Sequence, residues 1–257
     1  MKLEPRYVEK PWGQTALPAP FNVVFDQPIG EIWFQAGGGS QLLAKYLFTS
    51  EPLSIQVHPD DAQARLRGAP AGKAECWYVL GAAEGATIGL GLRRPLTQEQ
   101  LRLAALDGSI VEAIEWRPVR TGDFFYVPPG TIHAIGGGIS LLEFQQNSDM
   151  TYRLYDYGRP RELHLEDALA VCTLDKYPAT FFQRVEESDE RVLIDGPKFT
   201  FAHCHSDALQ SRKRWVLPLE GTVHCDGEKV GAGECLLVEA GKSIETTDAR
   251  LFVGAEY

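Results

Sequence analysis

At 257 residues, with 44% hydrophobic and 23% charged residues, the chain has the balance of an ordinary globular protein and the length for one large β unit or two modest domains. A formal net charge of −10 argues against nucleic acid or an anionic membrane as a partner, because the overall field repels both. The stretch Met1–Lys10 lacks the apolar run of a secretory leader, and five cysteines without a C-x-x-C spacing read as reduced thiols, so a cytoplasmic location is expected.

Along the chain, 25 glycines and 16 prolines punctuate short segments that alternate apolar with polar residues, the pattern of an all-β sandwich or barrel. Helical periodicity is confined to residues 59–67, to 97–105, where Thr97 and Gln100 stand at capping-box spacing, and to 165–174. In Leu53-Ser54-Ile55-Gln56-Val57-His58 the odd positions are apolar and the even ones polar, which places Ser54, Gln56 and His58 on one strand face. Such a face is costly to bury unless something satisfies it. Glu75 shares a face with Trp77 and Val79 on a second strand, and a carboxylate among apolar residues needs a cation. Further on, the run from Gly122 to His133 reads as a strand, a tight Pro128-Pro129-Gly130 turn and a returning strand that carries His133. Two neutral imidazoles, one carboxylate and the Gln56 amide oxygen form a ligand set suited to one zinc or another divalent ion per chain.

The stretch from Val119 to Gly130 reappears in outline from Val230 to Gly241, as a turn glycine, an acidic residue, a strand and a second glycine turn. Two tandem units are therefore expected, a metal-binding domain over residues 1–175 and a C-terminal domain over 176–257. The second copy carries Glu239 in place of Pro128 and Ile244 in place of His133, so it is read as degenerate and without a metal.

The string from Gly122 to His133 fits the second cupin motif, G-x5-P-x-G-x2-H. Gln56-Val57-His58-Pro59-Asp60 and Lys73-Ala74-Glu75 resemble the metal-binding segments of type I phosphomannose isomerases. The likeness continues through Glu143, Gln145, Asn147 and Asp149 to Tyr152-Arg153, with Pro11-Trp12-Gly13 before the site and Arg161 to His164 after it. It is close over residues 1 to about 175 and loose beyond. The resemblance implies two tandem jelly-roll-like cupin units and a zinc-dependent interconversion of mannose 6-phosphate and fructose 6-phosphate. By it, Gln56, His58, Glu75 and His133 are the metal ligands, Arg153 is an active-site arginine, and Ser54 and Lys73 occupy polar site positions. Two departures stand out. Only residues 96–114 could represent the long helical insertion of larger members, and Gly72 stands where those members have a histidine.

Moving a carbonyl between C1 and C2 of a sugar passes through an enediolate, whose charge a divalent ion and a guanidinium can stabilise. With both histidines expected on the metal, the proton carriers left are Glu143, Asp149 and Lys73; one of the two carboxylates is expected to serve as acid and base, and the sequence does not choose between them. Ser54, Arg159 and Lys45 are the candidates for binding the phosphate of a small sugar-phosphate substrate. Nothing in the sequence calls for an assembly beyond a monomer. The competing readings are a non-catalytic sugar-phosphate sensor, a cupin iron oxygenase using His58, Glu75 and His133, and the same isomerisation of glucose 6-phosphate.

Overall fold

The structure is a computed structural model that describes residues 1–37 and 39–257. Among the described residues the architecture is all-β, as expected, with nineteen strands and four α-helices. The helices are α1 (Asp61–Leu66), α2 (Gln98–Asp107), α3 (Ile110–Ala113) and α4 (Leu165–Val171). The capping box read from the sequence is present at α2, where the Gln100 N–H donates to Thr97 Oγ1 at 3.2 Å and the Thr97 N–H donates to Gln100 Oε1 at 2.9 Å. Asp60 and Gln63 cap α1 in the same way. None of the helices is long and apolar enough to cross a membrane.

The strands form three antiparallel sheets that stack in layers. A five-stranded sheet runs in the order Tyr152–Tyr155, Ile55–Val57, His133–Ile135, Thr87–Leu92, Ile114–Pro118. Its outer face is covered by the helices, with Ile55, Val57, Leu101, Ile110, Leu154 and Leu169 in one apolar cluster. Its inner face packs on a seven-stranded sheet at whose centre the strands Leu42–Phe48, Ile139–Gln146 and Glu75–Ala82 lie side by side. Trp77, Val79, Ile88, Leu90, Phe125, Ile135 and Leu141 fill the space between the two. The far face of the seven-stranded sheet packs against the sheet of the C-terminal half, so that Phe144 meets Phe199, Phe201 and Trp215 at centroid separations of 5.3, 5.1 and 6.0 Å.

A strand clamped between two layers buries both of its faces, which is why all eight residues of Ile139–Gln146 are buried. Leu142 and Phe144 point to the C-terminal half; Leu141 and, one step on, Glu143 point the other way. The two halves also exchange short strands. Lys2–Leu3 pairs with Leu236 and Cys235, while Phe182–Arg184 pairs with Phe125 to Asp123.

Close passage of the strand Glu245–Glu256 over Phe144 requires a glycine, because a Cβ at Gly254 would stand 2.3 Å from the Phe144 ring. With that ring fully buried, Gly254→Ala is expected to destabilise the protein by about 1–3 kcal/mol, read as a lower midpoint of denaturant or thermal unfolding. An unchanged midpoint would mean that the aromatic layer has room to yield.

Candidate metal centre and active site

The ladder registers bring the candidate residues together on the two facing sheets. In the five-stranded sheet Gln56 pairs with His133 on one side and with Arg153 on the other, so all three share the inner face. In the seven-stranded sheet Glu143 lies opposite Lys45 on one side and Trp77 on the other, and Glu75 lies opposite Gln145. Between the sheets is a cavity of about 240 Å³ lined by Ser54, Gln56, Lys73, Glu75, Lys45, Glu143, Asp149 and Arg153, among others.

His58, Glu75 and His133 each offer a ligand atom, and these atoms all lie within 4.8 Å of one another. The three residues are almost wholly buried. His58 Nε2 is 3.6 Å from Glu75 Oε2, and His133 Nε2 is 3.4 Å from Glu75 Oε1. Both rings are anchored through Nδ1 to a backbone carbonyl, His58 to Met150 at 2.8 Å and His133 to Thr131 at 2.9 Å. A carbonyl can only accept, so each Nδ1 carries the proton and each Nε2 presents its lone pair to the cavity, the tautomer that ligates a metal. Burial, with the Lys73 ammonium second, pushes the His58 imidazole well below its usual range. Burial likewise pushes His133 down to about 4. Both rings are thus neutral at ordinary pH.

Burial alone would raise the Glu75 pKa, but Lys73 and then His133 outweigh it and hold the carboxyl down at about 2. Oε2 of this carboxylate pairs with Lys73, whereas Oε1 is buried with no hydrogen-bond partner. An orphaned, charged oxygen beside His133 Nε2, with His58 Nε2 against the carboxylate's other oxygen, is costly unless a cation sits there, so the donor set fits a divalent ion. Gln56 stands beside the trio with its amide nitrogen 3.2 Å from His133 Nε2 and its oxygen accepting from Ser54 Oγ at 3.0 Å. Its oxygen can join the ligand set only after a half-turn of the amide.

Lys73 Nζ links the groups, lying 3.2 Å from His58 Nε2 and 3.2 Å from Glu143 Oε1 in addition to its contact with Glu75. Burial works to lower its pKa, yet Glu143 and Glu75 outweigh that and hold the ammonium above the usual lysine range. The Glu143 carboxyl is shifted up by its burial, against the pull of Lys73 and Lys45; Lys45 Nζ is 3.8 Å from Oε2. Asp149 is exposed at the cavity. Arg153 reaches the wall with its Nε buried and unpartnered, and burial together with Arg161 lowers its pKa. Arg159 is not on the cavity wall; its guanidinium donates to Pro52 O at 2.6 Å and lies 2.9 Å from Asp156.

A third side of the cavity comes from the two long strands Arg6–Leu17 and Val23–Phe34, which sequence reasoning did not place at the site. Glu31 accepts from Trp33 Nε1 at 2.8 Å and pairs with Lys10 at 3.4 Å, and the Lys45 ammonium lies over the Trp33 ring, 4.7 Å from its centroid. Glu31 and Trp33 alternate with apolar neighbours as Glu75 and Trp77 do, a signal that was available. Arg161, held by both oxygens of Asp156 at 2.6 and 2.7 Å, also lines the wall.

Gly72 has a geometric reason to be glycine. A Cβ there would stand 2.4 Å from the carbonyl carbon of Asp60 and 2.4 Å from Pro59 O, so any side chain would push the segment after His58 away from the one before Glu75. Gly72→Ala is expected to destabilise by about 1–3 kcal/mol and to weaken zinc retention against a chelator. Wild-type retention in that variant would show that the two segments can separate without disturbing the ligands.

No protein-family model matches the chain. It is 44% identical over 168 residues to a mannose-6-phosphate isomerase of Streptococcus mutans, a match covering 62% of this chain and 52% of that relative. The chain thus spans about half the length of that relative. A probable mannose-6-phosphate isomerase of Bacillus subtilis, GmuF, is 34% identical over 234 residues, or 75% of this chain and 74% of the relative. The crystal structure of the mannose 6-phosphate isomerase from Bacillus subtilis superposes with a TM-score of 0.82 at 27% identity, covering 98% of each chain.

Proposed function

The chain belongs to the mannose-6-phosphate isomerase family, and from that premise we propose that it interconverts mannose 6-phosphate and fructose 6-phosphate through an enediolate in the cavity between the two sheets. The observation that carries the chemistry is the Glu75 carboxylate, its two oxygens facing two imidazoles in the ligating tautomer and one of them orphaned, next to a second buried carboxylate, Glu143. His58, Glu75 and His133 would hold one divalent ion, with Gln56 as a fourth ligand once its amide turns. Such an ion, zinc in this reading, supplies a Lewis acid that offsets charge developing on the sugar's O1 and O2.

Glu143 is the acid and base in this reading. It is buried at the cavity, and its raised pKa brings a carboxylate closer to the range in which proton transfer in both directions is efficient. Its carboxylate takes the proton from C2 of mannose 6-phosphate, and the resulting carboxylic acid returns it to C1, while the hydroxyl proton on O2 passes to O1 so that the carbonyl moves to C2. Lys73, touching Glu143 and Glu75 alike, orients both carboxylates and can donate to a sugar oxygen. Arg153 faces the cavity with donors free and keeps its charge, which suits it to the enediolate oxygens. Asp149, at the exposed edge, is left to bind a hydroxyl. For the phosphate, Ser54 and Lys45 line the cavity, and Lys10 and Arg161 add positive charge to its wall. Arg159, committed to Pro52 and Asp156, supports that wall from behind. The catalytic unit in this reading is residues 1–175, with 176–257 packed behind the sheet that carries Glu75 and Glu143.

The sensor and oxygenase readings are not favoured, since the relatives are named as isomerases. A coupled assay offering mannose 6-phosphate and glucose 6-phosphate tests the reaction: zinc-loaded protein is expected to turn over the first in preference, and silence on both would overturn the reading. Glu143→Gln is expected to lower kcat by ~100-fold or more with bound metal unchanged. Arg153→Lys is expected to cost ~100-fold in kcat while Tm stays within a few degrees; near-normal turnover would remove Arg153 from the chemistry.

A further inference from the structure

The two segments that bring His58 and Glu75 together are laced to each other by one carboxylate. Asp61, the first residue of α1, accepts from the Gly72 N–H at 2.9 Å and from Gln146 Nε2 at 3.0 Å, both through Oδ1. Gln146 in turn holds Ala74 twice. Its Oε1 accepts from the Ala74 N–H at 3.0 Å, and its own N–H donates to Ala74 O at 3.0 Å. The Lys73 N–H closes the lacing on Pro59 O at 3.0 Å. Residues 72 and 74, on either side of Lys73 and next to Glu75, are therefore both referred back to Asp61. The second oxygen, Oδ2, pairs with Lys198, which precedes the fully buried Phe199 at the layer between the two halves.

We propose that Asp61 is a positioning residue for the metal centre, setting the separation of His58 from Lys73 and Glu75, and that Lys198 holds its carboxylate in place from the C-terminal half. The C-terminal half then has a part in the site without lining it. Its strand Phe199–Cys204 is fixed by the aromatic contacts of Phe199 with Phe144 and Tyr126, and Lys198 extends that fixed point to α1. A carboxylate suits the position because three donors converge on it from three parts of the chain, two on Oδ1 and Lys198 on Oδ2. Residues that orient ligands without touching the metal typically change its affinity by ~10–100-fold when removed.

This inference rests on the reading of His58, Glu75 and His133 as a metal centre, so its test uses zinc alone and no substrate. Full-length wild type, Asp61→Ala, Asp61→Asn, Lys198→Ala and Lys198→Arg are each titrated with zinc against a chromophoric chelator, and the metal-free proteins are melted in parallel. Asp61→Ala is expected to bind zinc ~10-fold or more weakly, and Asp61→Asn, which keeps an oxygen for Gly72 and Gln146, to recover most of that loss. Lys198→Ala is expected to lose a few-fold in affinity at nearly unchanged Tm, and Lys198→Arg to restore it. Wild-type affinity in Asp61→Ala, or a lowered Tm with unchanged affinity, would overturn the proposal by leaving Asp61 a purely structural role. Should Asp61→Ala fail to fold, unchanged affinity in Lys198→Ala overturns it instead. Failure of the wild type to bind zinc would count against the metal centre itself.

Discussion

Everything at this site follows from one constraint, a carboxylate buried between two sheets that cannot go unpaired. Glu75 is almost fully buried and ionised, with one oxygen on Lys73 and near His58 Nε2 and the other left without a hydrogen bond beside His133 Nε2. Protonating the carboxyl would be one way to relieve the burial of charge, but Lys73 holds the pKa down and closes that route. Protonating a histidine would be another, and burial closes that one as well. With the Lys73 ammonium on Oε2, a divalent cation at Oε1 is a further solution compatible with the groups present.

The layered architecture is what allows such a cluster to persist. Glu143 sits in a strand whose alternate residues belong to the aromatic layer against the C-terminal half, and Gln56 and His133 sit in strands whose alternate residues are buried under the helices. The polar side chains are thereby held on rigid, doubly covered sheets rather than on loops, which keeps their separations within the narrow limits that ligation and proton transfer require. The charges are spaced through the cavity in alternation. Lys45, Glu143, Lys73 and Glu75 form a line in which each acid lies beside at least one base, so the loss of any member strands a neighbour.

The convergence of His58, Glu75 and His133 and the strand faces were legible in the sequence because period-two alternation makes a buried polar face conspicuous, and the Pro128-Pro129-Gly130 turn marks where His133 returns. The Thr97–Gln100 capping box was legible for the same reason, a fixed local spacing. What was not legible depends on pairings remote in sequence. The alternation around Glu31 and Trp33 marks a polar strand face, but that this face and Lys10 meet the cavity follows from two long strands adding to the sheet beside Leu42–Phe48, a neighbour nothing local announces. The short helix α3 has a single turn and too few residues for a periodic signal. Gly72 could be noted as a departure from the larger relatives, but its cause, the backbone of Pro59 to Asp61 lying against it, exists only in three dimensions. The preference for Glu143 over Asp149 in the proposed reaction likewise rests on burial, which puts Glu143 inside and Asp149 at the exposed edge.

The most direct test of the metal centre is crystallographic, by anomalous scattering collected at the zinc edge from crystals of zinc-loaded protein. A single strong peak is expected between His58 Nε2, Glu75 Oε1 and His133 Nε2, at about 2.0–2.2 Å from each, with Lys73 still on the other Glu75 oxygen. Zinc bound only at surface residues, while the three side chains keep their present contacts without it, would show that His58, Glu75 and His133 are not a metal centre.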